Sequence, residues 1–269
     1  MKKNSYCFPL SIQMVLPDNY WEEPAFQQNL KILQDYNFYG VELNIADPGK
    51  IDIIDLQDFL QNFNLKMTMF ASGLTAKTFD LSLSTEDENV RKKSIIKCKE
   101  IIDFVAGTNI GVIIGFLKGT VAANVYQAEK LFKQSLTEIS SYVSEKKVNL
   151  LLEATNRNET SIANTLQQAV EFIKDFNNPF LQILPDTYHI NIEKDDWKIL
   201  EKYQNYYKSL HISDDNRYFP GLGSIQFENV IELLKSIGYQ GGIAIEGNIR
   251  DSFAADIQAS MDYLIPIIS

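Results

Sequence analysis

The sequence predicts an α/β protein built as a single (β/α)8 barrel (TIM barrel) over residues 1–269. Eight short β-rich apolar runs alternate with longer stretches of helical period. Several runs carry no polar alternation, as in Val112-Ile113-Ile114 and Leu150-Leu151-Leu152. Strands buried on both faces read this way, in a parallel sheet covered by helices. Dividing 269 residues among eight strands leaves about 34 for each unit, close to the ~30 that a strand with its crossover helix needs.

The first run, Ile12–Leu16, leads into Pro17-Asp18-Asn19. An open doubly wound sheet, the main rival fold, usually has a glycine-rich phosphate turn there, and none is present. Runs at Tyr39–Ile45 and Lys66–Ala71 follow. Thr85-Glu86-Asp87-Glu88 offers a capping box for a helix through Lys99 and Val105. The fourth and fifth runs are Ile110–Leu117 and Asn149–Ala154. A helix is expected to begin near Thr160, with Leu166, Ala169, Val170 and Ile173 at the i, i+3, i+4, i+7 spacing of one buried face. The sixth and seventh runs are Leu181–Pro185 and Tyr207–Ile212. Val230, Leu233, Leu234 and Ile237 repeat the helical spacing, and Gly238 sits at the C-cap just before the eighth run, Gly242–Glu246. The last helix is expected from Ser252 towards Leu264, ending near Pro266. No Gly/Ser-rich linker divides the chain, so one domain is expected.

Composition narrows the function. With 45% hydrophobic and 22% charged residues the chain reads as globular. Lys and Arg number 25 against 35 Asp and Glu, a formal charge of −10, and no basic stripe stands out. Proteins that grip nucleic acid neutralise phosphates with such a stripe, so that class of partner is excluded. Cys7 and Cys98 fit neither a disulfide framework nor a zinc motif and read as buried thiols in a reducing compartment. No apolar run approaches the ~20 residues of a membrane span. Lys2 and Lys3 could begin a leader, but Asn4, Pro9, Ser11 and Gln13 interrupt its apolar core, so a cytoplasmic location is expected.

In a barrel, residues closing the strands converge on one mouth however far apart they lie in sequence. Strands five to eight close on Glu153, Asp186, His211 and Glu246, at intervals of 33, 25 and 35 residues. Each alone reads as a cap or a loop acceptor. Together, the three carboxylates repel one another, and the four converging groups need a cation or each other's protons. An oxygen-rich sphere with one histidine suits Mn²⁺ best, with Mg²⁺ or Co²⁺ also compatible. His189, three residues past Asp186, is placed to hydrogen-bond a substrate oxygen, or else is a satisfied loop residue. Arg217 could fix a hydroxyl, carboxylate or phosphate through its fork of donors, or form a surface ion pair. Glu159 could orient a neighbouring ligand or cap the helix near Thr160. Glu42 reads as a buried polar contact inside strand two.

Three segments carry a resemblance. Leu152-Glu153-Ala154-Thr155-Asn156-Arg157-Asn158-Glu159-Thr160, Pro185-Asp186-Thr187-Tyr188-His189-Ile190-Asn191-Ile192-Glu193, and His211 to Arg217 with Pro220-Gly221-Leu222-Gly223 resemble the xylose-isomerase-like sugar isomerases and epimerases. Among these they look most like the ketose 3-epimerases of the D-tagatose and D-psicose group. The likeness extends through Gly238-Tyr239-Gln240-Gly241 to Glu246 and is looser before Gly119. The resemblance implies one divalent metal, Mn²⁺ by preference, held by Glu153, Asp186, His211 and Glu246. It implies proton exchange by Glu153 and Glu246, and substrate contacts from Glu159, His189 and Arg217. The implied partner is a small-molecule sugar, a ketose or a sugar phosphate, with a homodimer or homotetramer as the assembly. Ala154 departs from the family, which commonly has proline there. Gly115-Phe116-Leu117-Lys118-Gly119, in a region that helps to select the sugar, is not a clean match.

The implied activity is epimerisation at C3 of a ketose through an enediolate. Aldose–ketose or hydroxypyruvate-type isomerisation at the same site is the alternative, and a non-catalytic sugar-binding protein is another. Metal-dependent phosphodiester cleavage needs more histidines than the two present, His189 and His211.

Overall fold

The computed structural model describes residues 6–269. Eight parallel strands run in the order β6-β5-β4-β3-β2-β1-β8-β7, with helices between them. The strands are β1 (Leu10–Val15), β2 (Gly40–Asn44), β3 (Lys66–Ala71), β4 (Gly111–Ile114), β5 (Leu150–Glu153), β6 (Leu181–Leu184), β7 (Ser209–Ile212) and β8 (Gly242–Ile245). The helices are α1 (Pro24–Asp35), α2 (Ile53–Gln61), α3 (Gly73–Phe79), α4 (Glu88–Val105), α5 (Val125–Lys146), α6 (Leu166–Ile173), α7 (Thr187–Glu193), α8 (Ile199–Lys202), α9 (Phe227–Ser236) and α10 (Phe253–Ile268). The barrel expected from the run-and-helix rhythm is the fold observed.

Seven of the eight seams are ladders. The eighth, between β6 and β7, is held by an isolated bridge of Asp186 with His211 and by His211 N–H donating to Pro185 O at 2.9 Å. The barrel thus closes on two of the four candidate ligands. Inside the helix ring, Val112, Ile114, Leu150 and Leu152 sit in the main apolar core, whereas Ile113 and Leu151 pack with Ala71 and Leu184 in a smaller cluster. The two clusters lie on opposite faces of the sheet, as the absence of polar alternation requires.

Caps define the helix starts. Asp52, Asp87, Asn124, Thr165 and Ser252 each accept hydrogen bonds from first-turn N–H groups. Four expectations need correction. The capping box at Thr85 is not used: Asp87 is the N-cap of α4, and Thr85 Oγ1 accepts from Asp87 N at 3.2 Å. No helix begins near Thr160, because Asn164 Nδ2 ties the Thr155 and Thr160 carbonyls at 3.1 and 2.8 Å and α6 starts only after Thr165. The last helix runs through Pro266 to Ile268. A proline in the final turn removes one donor, while Leu264 and Ile268 stay fully buried and hold the turn. Cys7 is exposed; only Cys98 is buried.

The fourth strand is shorter than expected. It stops at Ile114, and Phe116–Lys118 forms a 3₁₀ turn. Of the leader reading, Lys2, Lys3 and Asn4 lie outside the described residues. Among those described, no helix is long and apolar enough to cross a membrane.

Candidate metal centre

Glu153 closes β5, His211 lies inside β7, and Asp186 and Glu246 follow β6 and β8 by two residues and one. One ligand atom from each lies within 4.8 Å of the others. His211 Nδ1 is 2.6 Å from Glu246 Oε2, 3.6 Å from Glu153 Oε1 and 3.9 Å from Asp186 Oδ2. Its Nε2 faces the other way and meets Glu42 Oε2 of β2 at 2.7 Å. A carboxylate on the far nitrogen fixes the ring orientation and leaves the near one for a metal. Glu42 is buried, as expected, but its partner was invisible in sequence.

Local structure aims each carboxylate. Asp186 caps α7: its Oδ1 accepts from Tyr188 N at 2.7 Å, leaving Oδ2 turned to the cluster. Glu153 Oε1 is buried with no hydrogen-bond partner. An orphaned buried carboxylate oxygen is costly, and a cation at the centre of these four groups would satisfy it. With three oxygen donors, one imidazole nitrogen and no thiolate, the set fits a divalent ion of the Mn²⁺, Mg²⁺ or Co²⁺ kind.

Arg217 spans two ligands, its Nη1 at 2.7 Å from Asp186 Oδ2 and its Nη2 at 3.1 Å from Glu246 Oε2. It is therefore no surface ion pair. Its backbone is left-handed, φ 62°, in a turn where Asn248 N donates to Arg217 O at 2.7 Å. Asp214 builds that turn. Its buried carboxylate accepts from the N–H groups of Gly221, Gly223 and Ile225 at 3.0, 2.9 and 2.8 Å. A Cβ on Gly223 would overlap Asp214, so that glycine is required. Sequence reasoning missed Asp214; the recurrence of glycine seven and nine residues later was its signal.

The charges shape one another. Burial pushes the Asp186 carboxyl above its ordinary value, and nearby Arg217 only partly offsets it. Glu246 is buried too, yet Arg217 and His211 hold its carboxyl well below the carboxylate range. Despite burial, Glu42 and Glu246 keep the His211 imidazole well above its usual value. Two neighbouring carboxyls shifted in opposite directions are what like charges at one site produce.

His189 lies on α7, not in a loop. Its Nδ1 receives Asn156 N–H at 3.2 Å and faces Asn156 Nδ2 at 2.8 Å. Nδ1 is thus an acceptor, the proton sits on Nε2, and Nε2 points towards Glu153 Oε1 at 3.9 Å. Glu159 accepts from Asn156 Nδ2 at 2.9 Å and caps nothing. Next to Arg217 and Glu246 lies an open cavity of about 770 Å³, lined also by Gln13, Asn29, Asn44 and Phe253. A larger one, about 900 Å³, opens at the opposite barrel end around Lys66, Thr68 and Lys208. It contains none of the four clustered residues, whereas the smaller cavity is lined by Glu246 and Arg217.

The model of the xylose isomerase-like TIM barrel matches residues 30–267. A ketose 3-epimerase of Arthrobacter globiformis is 26% identical over 88% of this chain and 83% of its own length. An L-ribulose 3-epimerase of Methylomonas sp. is 30% identical over 81% of this chain and 74% of its own. The solved structure of a 3-keto-D-glucoside 4-epimerase from E. coli superposes with a TM-score of 0.79 at 22% identity, over 97% of this chain and 98% of that one.

Proposed function

This chain belongs to the xylose isomerase-like TIM barrel family, and from that premise we propose that it is a metal-dependent sugar epimerase, acting at C3 of a ketose. The observation that carries the reading is the gathering of Glu153, Asp186, His211 and Glu246 within 4.8 Å, with Glu153 Oε1 unpartnered. Two of its relatives are a ketose 3-epimerase and an L-ribulose 3-epimerase.

A bound divalent ion supplies Lewis acidity towards the carbonyl and adjacent hydroxyl oxygens. Glu153 and Glu246 come from β5 and β8 and flank the sugar. One carboxylate takes the C3 proton, and the electron pair passes to the C2 carbonyl oxygen as an enediolate forms. The other carboxyl returns a proton to the opposite face of C3 as the carbonyl reforms. In the reverse direction the two exchange roles. Arg217 and His211 hold Glu246 in its ionised form. His189 Nε2–H and Arg217 hold sugar oxygens, and Glu159 steadies Asn156, which orients His189. Mn²⁺ as the ion, a cytoplasmic setting and a homodimer or homotetramer of single-domain subunits complete the proposal.

Metal-reconstituted protein incubated with ketoses in deuterated water tests it. Deuterium at C3 with the C3 epimer as product is the expected result; label at C1 or C2 instead means isomerisation. Glu246→Gln should leave circular dichroism unchanged and remove turnover by at least ~10²-fold, the scale of one positioned proton carrier. Near-normal epimerisation by that variant sinks the two-glutamate scheme.

A further inference from the structure

We propose that Lys118 is a positioning residue for Glu153, fixing the end of β5 from the neighbouring turn; this rests on the role given to Glu153 above. Lys118 is 0% exposed, and among the described residues no other lysine or arginine is buried. Its Nζ donates a short hydrogen bond to the main-chain carbonyl of Glu153.

The sheet register explains why a side chain is needed there. β4 pairs with β5 as far as Ile114 with Leu152, so Glu153 lies one residue past the last pairing on that side. On its other side Glu153 still pairs with Leu184 of β6. Beyond Ile114 the chain leaves the strand at Gly115, with φ −99° and ψ −97°. Lys118 Nζ takes the place of the missing ladder donor.

The same turn also gives Glu153 room: a Cβ on Gly115 would overlap Glu153 Oε2. The turn is itself anchored, by Lys118 N to Gly115 O at 3.2 Å, Gly119 N to Phe116 O at 3.0 Å, and Leu83 N to Leu117 O at 3.0 Å. One rigid loop thus holds both the carbonyl and the carboxylate of one ligand.

The choice of side chain points the same way. A buried ammonium is expensive, and an apolar side chain of similar volume serves packing as well or better. Its presence therefore serves the site rather than the fold.

Lys118→Met removes the donor and keeps the volume. The expected result is a fall of about 100-fold in kcat, the scale of a slightly misplaced reacting group. The KM for ketose and the Kd for Mn²⁺ alone, read by calorimetry, should stay within about threefold, and the Tm should hold or rise. In Lys118→Ala, added ethylammonium should restore part of the lost kcat in a saturable way, and ethanol should not. Should Lys118→Met fail to fold, Lys118→Gln and the amine-treated Lys118→Ala decide in its place. A kcat within twofold of the parent overturns the proposal. So does activity that falls only in step with Tm, or no difference between ethylammonium and ethanol. If the parent protein incorporates no deuterium at C3 of any ketose, the epimerase reading fails and takes this inference with it. Parent activity with an unaffected Lys118→Met removes the inference alone.

Discussion

Glu42 and His211 are 169 residues apart and meet at 2.7 Å at the bottom of the site. A carboxylate on the outer nitrogen of a ligating histidine typically contributes 10–100-fold in metal affinity. Glu42→Gln should therefore weaken Mn²⁺ binding by about that factor with little change in secondary structure; a titration calorimeter reads the loss. The two thiols offer another residue-scale check. Burial pushes the Cys98 thiol up to about 12 from an ordinary 9, while Cys7 is exposed. A thiol reagent at pH 8 should label one cysteine in the native protein and two in guanidinium. Between pH 9 and 12 the unfolded Cys98 loses its proton and the folded one keeps it, so the native state binds more protons and stability falls as pH rises. In Cys98→Ala that part of the alkaline decline should vanish, which paired melting curves at pH 8 and 10 would reveal. The gathering of Glu153, Asp186, His211 and Glu246 was legible in sequence, because strand ends in a barrel must converge. Glu42, Asp214 and Lys118 were not, since each acts through a partner that only closure of the sheet brings near.

At the level of elements, apolar runs gave the strands within a few residues, because burial on both faces removes the ambiguity of alternation. Ends were harder to read, since caps depend on which of several adjacent polar side chains wins. In α4, Asp87 accepts from Asn89 N and Val90 N at 2.9 and 3.2 Å, while Thr85 accepts only from Asp87 N. Asp87→Ala should cost about 1 kcal/mol and Thr85→Ala a few tenths. Equal losses in urea melts would restore the capping box. Pro266 misled for a similar reason: proline ends helices from the interior, but in the last turn one lost bond is outweighed by the burial of Ile268.

Across the whole molecule, closure of the barrel and the candidate ion site coincide. β6 and β7 share no ladder and are joined by the Asp186–His211 bridge, the bond from His211 to Pro185 and the bonds between the Thr187 hydroxyl and Ser213, so an ion held by Asp186 and His211 would stiffen the seam. Mn²⁺ at 100 times its Kd should add on the order of 2.7 kcal/mol to the stability of the barrel. Amide exchange should slow most at His211 and its neighbours. Uniform protection across all eight strands would show that the seam is not where the ion acts.

That arrangement also bears on how quickly cargo leaves. Release of a guest clasped by two residues that also button the wall is linked to the firmness of that wall. A covalent link joining those strands elsewhere along their length should then lengthen occupancy without touching any group that holds the guest.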